Sequence, residues 1–181
     1  TLAIRGSEKS TYGKLYERLI LGVLLEILGF KLVDRENIKN PKKVFWLSSR
    51  DEKRESDATL LFEAGKGVRF DIGFIGRGNP EISLDKVSRF EREITLGKTK
   101  WFMATIIVVD RIGQNSRIEA LAKRIGGDIV QMSGAYWPLR VAEVLKERTG
   151  YKSELLGMKD KEVLQYLKKK IAGIDFQKLI K

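Results

Sequence analysis

The stretch "WFMATIIVV", from Trp101 to Val109, is the sequence feature that most restricts the fold. It is rich in β-branched residues and almost entirely apolar. A short apolar run of this kind is typical of a central strand that is buried on both faces of a sheet. Such a strand needs a covering layer above and below it, so we expect an α/β protein with helices packed against a central sheet.

The remaining sequence supplies further elements around this strand. Apolar residues recur at helical spacing from Tyr12 to Phe30, where Ser10 or Thr11 is available as the N-cap and Gly29 as the stop. Other strands are expected at 56–64, 68–75, 81–84 and 128–132, other helices at 85–96, 117–125, 138–148 and 159–172, and a loop or short strand within 37–54. The order predicts a mixed central sheet flanked by helices, in a single domain (1–181) with a core at about 11–133 and a C-terminal helical part at about 134–181.

The composition excludes several kinds of chemistry. The chain of 181 residues contains no cysteine and no histidine. Disulfides, thiolate catalysis, the Ser-His-Asp arrangement and a typical zinc site are therefore excluded. Catalysis by this chain would use carboxylates, lysines or hydroxyls, with a hard cation bound through oxygen atoms.

The charge of the chain indicates a polyanionic partner. Lysine and arginine number 35 against 24 acidic residues, which gives a net charge of +11. These basic residues are spread along the sequence, so a folded basic surface that binds nucleic acid is expected. The longest apolar stretch, Leu19 to Phe30, is broken by Glu26 and is too short for a membrane span, and no signal-peptide pattern is visible, so a cytoplasmic location is expected. Because the first residue is Thr1 and not Met, one expectation is that the sequence is part of a longer chain.

The glycine-rich stretch "RFDIGFIGRGNPEISLDK", residues 69–86, does not match a nucleotide-binding loop. A Walker loop needs lysine and a hydroxyl residue after its last glycine, and this stretch has neither there. Gly73, Gly76 and Gly78 give the spacing G-x-x-G-x-G, which reverses the dinucleotide-binding pattern. The stretch is better interpreted as a tight turn between two strands.

Such a turn would bring two carboxylates together. Alternation places Asp71 on the strand face opposite the apolar residues, and a hairpin would fold Glu81 back beside it. Two neighbouring carboxylates repel each other unless a cation lies between them, which indicates a metal site. Glu17 lies on the apolar stripe of the first helix and is expected to face the rest of the fold. The alternatives are that the strand carboxylates only face water, and that Glu17 is an acid favoured by the helix dipole.

These features together resemble the core of the PD-(D/E)XK nucleases, over about residues 11–133. The run "VRFDIGFIGRGNPEISLDKVSRFERE" is also similar to the central region of type II restriction endonucleases of the CfrBI kind. The resemblance implies a Mg²⁺-dependent endonuclease that hydrolyses phosphodiester bonds of double-stranded DNA and acts as a homodimer. It implies that Asp71 and Glu81, with Glu17, hold the metal.

The sequence departs from the nuclease motif at two positions. Phe70 stands where the motif has proline, and Ser83 stands where it has lysine. The nearest lysine is Lys86, which is expected in the first turn of a helix capped by Asp85 and can reach back toward the site on its four-carbon stem. Lys86 and Ser83 are therefore candidate catalytic residues beside Asp71 and Glu81, whereas Lys66 at the preceding turn is a poorer candidate.

Two stretches are candidates for contact with DNA. They are "RDEKRESD", residues 50–57, and the helix at 159–171 with its three consecutive lysines, although charge runs more often only face water. A repair or recombination nuclease of the same fold, and a nucleic acid binding module without catalysis, remain alternative functions. The binding module explains the positive charge but does not explain the inward-facing carboxylates.

Overall fold

A computed structural model describes residues 2–38, 41–48, 56–63, 66–73, 102–110, 127–132 and 136–181. The helices among them are α1 (Leu2–Ile27), α2 (Trp137–Thr149), α3 (Asp160–Ala172) and α4 (Phe176–Ile180). The strands are β1 (Lys31–Leu32), β2 (Val44–Leu47), β3 (Ala58–Glu63), β4 (Lys66–Gly73), β5 (Phe102–Val109) and β6 (Gly127–Gln131). No helix in the described ranges is long and apolar enough to cross a membrane.

The six strands form one mixed sheet in which their spatial order equals their sequence order. Strands β2, β3 and β4 are antiparallel neighbours, whereas β4, β5 and β6 run parallel to one another. Parallel neighbours need long crossover connections, and the chain between these strands is long enough to provide them. The expected α/β class with a mixed central sheet and flanking helices is confirmed.

The strand expected at Trp101–Val109 is confirmed as β5 and is buried on both faces. Residues 104–109 are all buried, including both Ile106 and its neighbour Ile107. Ile106 belongs to a core that also contains side chains of α1 and α2, so these two helices pack on the same face of the sheet. The segments expected to be helices at 85–96 and 117–125 lie outside the described residues.

The first helix is longer than its apolar pattern predicts, since it begins at Leu2 and continues through the expected capping residues Ser10 and Thr11. Its end is as expected, because Gly29 has the left-handed backbone conformation (φ 94°) that favours glycine.

Two tyrosine hydroxyls donate to carbonyl oxygens at the end of this helix. Tyr151 donates to Leu28 O at 2.7 Å and Tyr166 to Ile27 O at 3.1 Å. The C-terminal part of the chain thereby satisfies carbonyl groups that the helix itself leaves free.

Strand β4 pairs with β3 in an antiparallel hairpin, as expected from strands at 56–64 and 68–75 that follow each other closely. Its other neighbour in the sheet is β5, which runs parallel to it. The second expected hairpin, between 68–75 and 81–84, has segment 81–84 outside the described residues. Asp71 lies between β3 and β5 in this sheet.

The last helix, α4, was not predicted, and it packs against α1 through a glycine. Leu179 of α4 is fully buried. A Cβ atom added at Gly22 would lie 2.5 Å from Leu179 Cδ2, which is closer than van der Waals contact allows. The absence of a side chain at Gly22 is therefore what lets α4 approach α1.

We expect Gly22→Ala to destabilise the protein even though alanine favours helices. The clash with the buried Leu179 should cost about 1–3 kcal/mol, more than the roughly 1 kcal/mol that helix propensity returns. Urea denaturation measures the difference. In a Leu179→Ala background the same substitution should be neutral or stabilising, and an equal loss in both backgrounds would contradict the proposed contact.

Candidate functional site

One edge of the sheet collects several polar side chains. The register of the strands places the ends of β2, β4 and β5 and the start of β3 at this edge. The Asp110 N–H, which follows β5, donates to Gly73 O at the end of β4 at 3.3 Å, and this hydrogen bond keeps the two strand ends together. We call this edge, with residues 48, 57, 71, 73 and 110, the carboxyl edge.

Asp57 lies at the carboxyl edge immediately before β3. Ala58 pairs with Phe70, so the antiparallel register brings Asp57 opposite Asp71. Opposed residues on neighbouring strands share a face of the sheet, and both carboxylates are buried, with exposures of 8% and 2%. Asp57 Oδ2 accepts a hydrogen bond from Ile72 N at 3.0 Å. The backbone N–H of Ile72 in β4 is thus paired with the side chain of Asp57, which lies immediately before β3.

Lys14 of α1 lies between two carboxylates of the site. Its Nζ atom is 2.8 Å from Asp57 Oδ1 and 2.7 Å from Glu17 Oε2. The Glu17 and Asp57 side chains are 16% and 8% exposed, whereas that of Lys14 is 45% exposed. Burial by itself would lower the pKa of Lys14, but Asp57 and Glu17 outweigh burial and raise this pKa above its usual value. Lys14 is therefore a firmly protonated cation held by the two carboxylates.

Arg18 fixes the turn of α1 that carries these residues. Its Nη1 donates to Ser48 O, just after β2, at 2.8 Å, and its Nε donates to Leu179 O at 3.1 Å. The same side chain thereby ties α1 to the carboxyl edge and to α4. Because Arg18 follows Glu17 directly, these two bonds set where Glu17 and Lys14 meet the sheet.

The structure describes three of the residues that were considered for the site from the sequence, and it places only two of them at the carboxyl edge. Glu17 faces the fold, as its position on the apolar stripe predicts. Asp71 lies on the face opposite Phe70, as predicted, and it is buried, which argues against the alternative that it only faces water. Lys66 lies at the other end of β4, roughly 17 Å from Asp71 at 3.3 Å per residue, and pairs with Glu63 at 2.9 Å. This distance argues against a role for Lys66 at the site.

Three of the predicted residues, Glu81, Ser83 and Lys86, lie outside the described residues, so their proposed roles stay predictions. Sequence reasoning missed Asp57 and Lys14. The i,i+3 spacing of Lys14 and Glu17 was a visible signal for an ion pair on one helix face. Asp57 carried a weaker signal, namely a carboxylate directly before a strand that pairs with the strand of Asp71.

The donor set at the carboxyl edge suits a hard divalent cation. Within the described ranges, no group of three or more histidine, cysteine, aspartate or glutamate side chains is close enough together to hold a metal ion. Mg²⁺, however, keeps several waters and needs only one or two protein carboxylates. Glu17 and Asp57 already share one cation, the Lys14 ammonium, and Asp71 is the cross-strand neighbour of Asp57. The residues present therefore fit Mg²⁺ by charge and by oxygen chemistry.

A mixed sheet with an N-terminal helix, an antiparallel hairpin and carboxylates at one strand edge is consistent with a restriction-endonuclease-like fold. Residues 1–117 match the CfrBI restriction endonuclease family, and the chain belongs to that family. It is also 45% identical, over 183 aligned residues, to the type II restriction enzyme CfrBI of Citrobacter freundii. That alignment covers 100% of this chain and 51% of the relative, so the chain spans about half the length of the curated relative it matches. No solved structure matches the chain.

The hydrogen bond from Ile72 to Asp57 predicts a difference between two substitutions of Asp57. Asp57→Ala leaves the buried Ile72 N–H without its acceptor, which should lower the free energy of unfolding by about 1–3 kcal/mol. Asp57→Asn keeps an acceptor oxygen and should cost clearly less. Urea denaturation at neutral pH compares them, and equal losses would show that this hydrogen bond is not what stabilises the edge.

Proposed function

We propose that this chain carries the nuclease site of a type II restriction endonuclease, which hydrolyses phosphodiester bonds of double-stranded DNA with Mg²⁺. The observation that supports the proposal is that Asp57 lies opposite Asp71 on the neighbouring strand and shares the Lys14 ammonium with Glu17, in a chain of the CfrBI family. Burial of these carboxylates costs hydration, and the Lys14 ammonium provides one positive charge for two of them, Glu17 and Asp57. A site that binds a divalent cation and a phosphate would explain why these carboxylates lie at one edge of the sheet.

In this proposal one or two of the carboxylates bind the metal directly, since the described residues bring no three of them close enough together to hold one ion. The candidates are Asp71 and Asp57 on the sheet and Glu17 on α1. Asp57 Oδ1 is directed toward Lys14, while the Ile72 N–H fixes Oδ2, so the carboxylate has a set orientation. A bound Mg²⁺ would neutralise charge on a phosphate oxygen and supply an activated water. Glu81, predicted from the sequence as a further ligand, and Lys86 or Ser83, predicted to act on the water, complete the proposed set.

The net charge of +11 supports DNA as the substrate. A duplex carries a dense row of phosphates, and a basic protein gains affinity by releasing the counterions that surround them. The family resemblance also leads us to propose that two copies act together, one on each strand. Light scattering of the protein, alone and bound to a duplex, measures this stoichiometry directly.

Mg²⁺-dependent cutting is the first prediction of this function. The chain, incubated with a plasmid of known sequence and Mg²⁺, should produce discrete fragments whose ends map to one short sequence. Asp71→Ala, Asp57→Ala and Glu81→Ala should each lower the rate by more than about a hundredfold, since each removes a proposed metal ligand. Glu17→Ala should have a smaller effect.

The control is Glu143→Gln, which removes a carboxylate from an exposed ion pair with Arg140 on α2 and should cut at the wild-type rate. Fragments without a common end sequence would favour a repair or recombination nuclease. DNA binding without any cutting would favour a binding module. Wild-type rates in Asp57→Ala and Asp71→Ala together would show that the carboxyl edge is not the active site.

DNA binding in Ca²⁺, measured without cleavage, should weaken steeply with salt. Each phosphate that the protein neutralises should contribute about −0.9 to the slope of log affinity against log salt concentration. The measurement is fluorescence anisotropy of a labelled duplex over a series of salt concentrations. A slope near zero would exclude nucleic acid as the main partner of the basic surface.

A further inference from the structure

The strand that carries Asp71 places no lysine beside it. Asp71 and Gly73 share a face of β4, and Gly73 has no side chain. Arg69, two residues before Asp71 on this face, lies further into the strand and away from the edge. Lys66 lies at the opposite end of β4, paired with Glu63. Within the described part of the chain, the ammonium group at the carboxyl edge comes instead from α1, as Lys14.

The Lys14 ammonium group lies between two of the proposed metal ligands, Asp57 and Glu17. Lys14 Nζ lies within 2.8 Å of both Asp57 Oδ1 and Glu17 Oε2, atoms that belong to proposed metal ligands. The other Asp57 oxygen is engaged by Ile72 N, so Oδ1 is the oxygen directed at the shared cation. A divalent cation on Oδ1 and the Lys14 ammonium would repel each other at a few ångströms, so both cannot keep this place.

We propose that Lys14 serves the nuclease site in addition to the residues predicted to act on the water. It balances Glu17 and Asp57 in the metal-free protein and moves to the scissile phosphate when a divalent cation replaces it. The Lys14 side chain is 45% exposed, and its four-carbon stem gives it the freedom to move. The substrate brings an anionic phosphate to the same edge, which provides the displaced ammonium with a new partner. Metal binding and phosphate contact are thus coupled through one side chain.

This inference rests on the proposed function, and metal binding without DNA separates the two. Isothermal titration calorimetry with Ca²⁺ should show binding to the wild-type protein, and binding to Lys14→Met should be at least about fivefold tighter, the lower end of typical coupling between two sites. Lys14→Arg keeps the competing charge and should show no such gain. Lys66→Met removes a lysine that also pairs with a glutamate three residues away, and it should bind Ca²⁺ as the wild type does.

The melting temperature gives a second measurement on the same variants. Without metal, Lys14→Met should melt below the wild type because two buried carboxylates have lost their counter-ion. Ca²⁺ should then raise its melting temperature more than it raises that of the wild type. If Lys14→Met does not fold, Lys14→Gln provides a neutral side chain that can still form hydrogen bonds with the carboxylates.

Binding to DNA tests the second half of the proposal. With a duplex that carries the mapped cleavage site, the salt slope of Lys14→Met in Ca²⁺ should be shallower by about 0.9, the contribution of one phosphate contact. In EDTA the slopes of the variant and the wild type should agree. A shallower slope in both conditions would overturn the release of Lys14 by metal.

The remaining outcomes are also decisive. Equal or weaker Ca²⁺ binding by the neutral variants, with binding by the wild type intact, would overturn the role of Lys14 and leave the proposed nuclease function standing. If the wild type bound no divalent cation, with or without DNA, and cut no plasmid, the proposed function and this inference would fail together.

Discussion

The Asp57 carboxylate is the interaction on which the carboxyl edge depends. One of its oxygens accepts the Ile72 N–H and so joins the start of β3 to β4, and the other accepts from Lys14 and so joins both strands to α1. A buried carboxylate is stable only when its oxygens are satisfied in this way. The same two contacts give Asp57 a fixed orientation beside Asp71. Stability of the edge and geometry of the site therefore rest on one side chain.

The fold places α1 so that it serves both the core and the site. Buried residues such as Leu21, Leu24 and Leu25 pack into the core, while Lys14 and Glu17, one to two turns earlier, lie at the carboxyl edge. Arg18 connects these two parts through its bonds to Ser48 and to α4. Because α4 contacts α1 at Gly22, the C-terminal end of the chain helps to hold the turn that carries Lys14 and Glu17 in place. Helix α4 thus packs directly against the helix that carries Lys14 and Glu17.

The chain is strongly basic, but Glu17, Asp57 and Asp71 lie at one edge of its sheet. This contrast supports the proposed chemistry. The overall charge of +11 attracts a polyanion, whereas the local carboxylates would repel it unless cations were bound between them. The chain belongs to the CfrBI restriction endonuclease family. An endonuclease of the proposed kind would bind DNA through its basic surface and metal through its carboxylates. Lys14 fits the same scheme as a cation that the chain itself supplies.

The sequence by itself determined the class of fold, the double-sided burial of β5, the inward direction of Glu17 and the face of Asp71, since each follows from local periodicity.

The sequence did not determine the partner of Asp71. Counting back from the pair Glu63–Lys66 at the β3–β4 turn would place Asp57 opposite Ile72, on the wrong face. A register shift between Leu61 and Glu63 moves Asp57 opposite Asp71 instead. The contact of Lys14 with Asp57, 43 residues away, likewise required α1 to pack on the sheet. Strand register and helix placement are products of the whole core, so only the tertiary structure decided which charged groups meet.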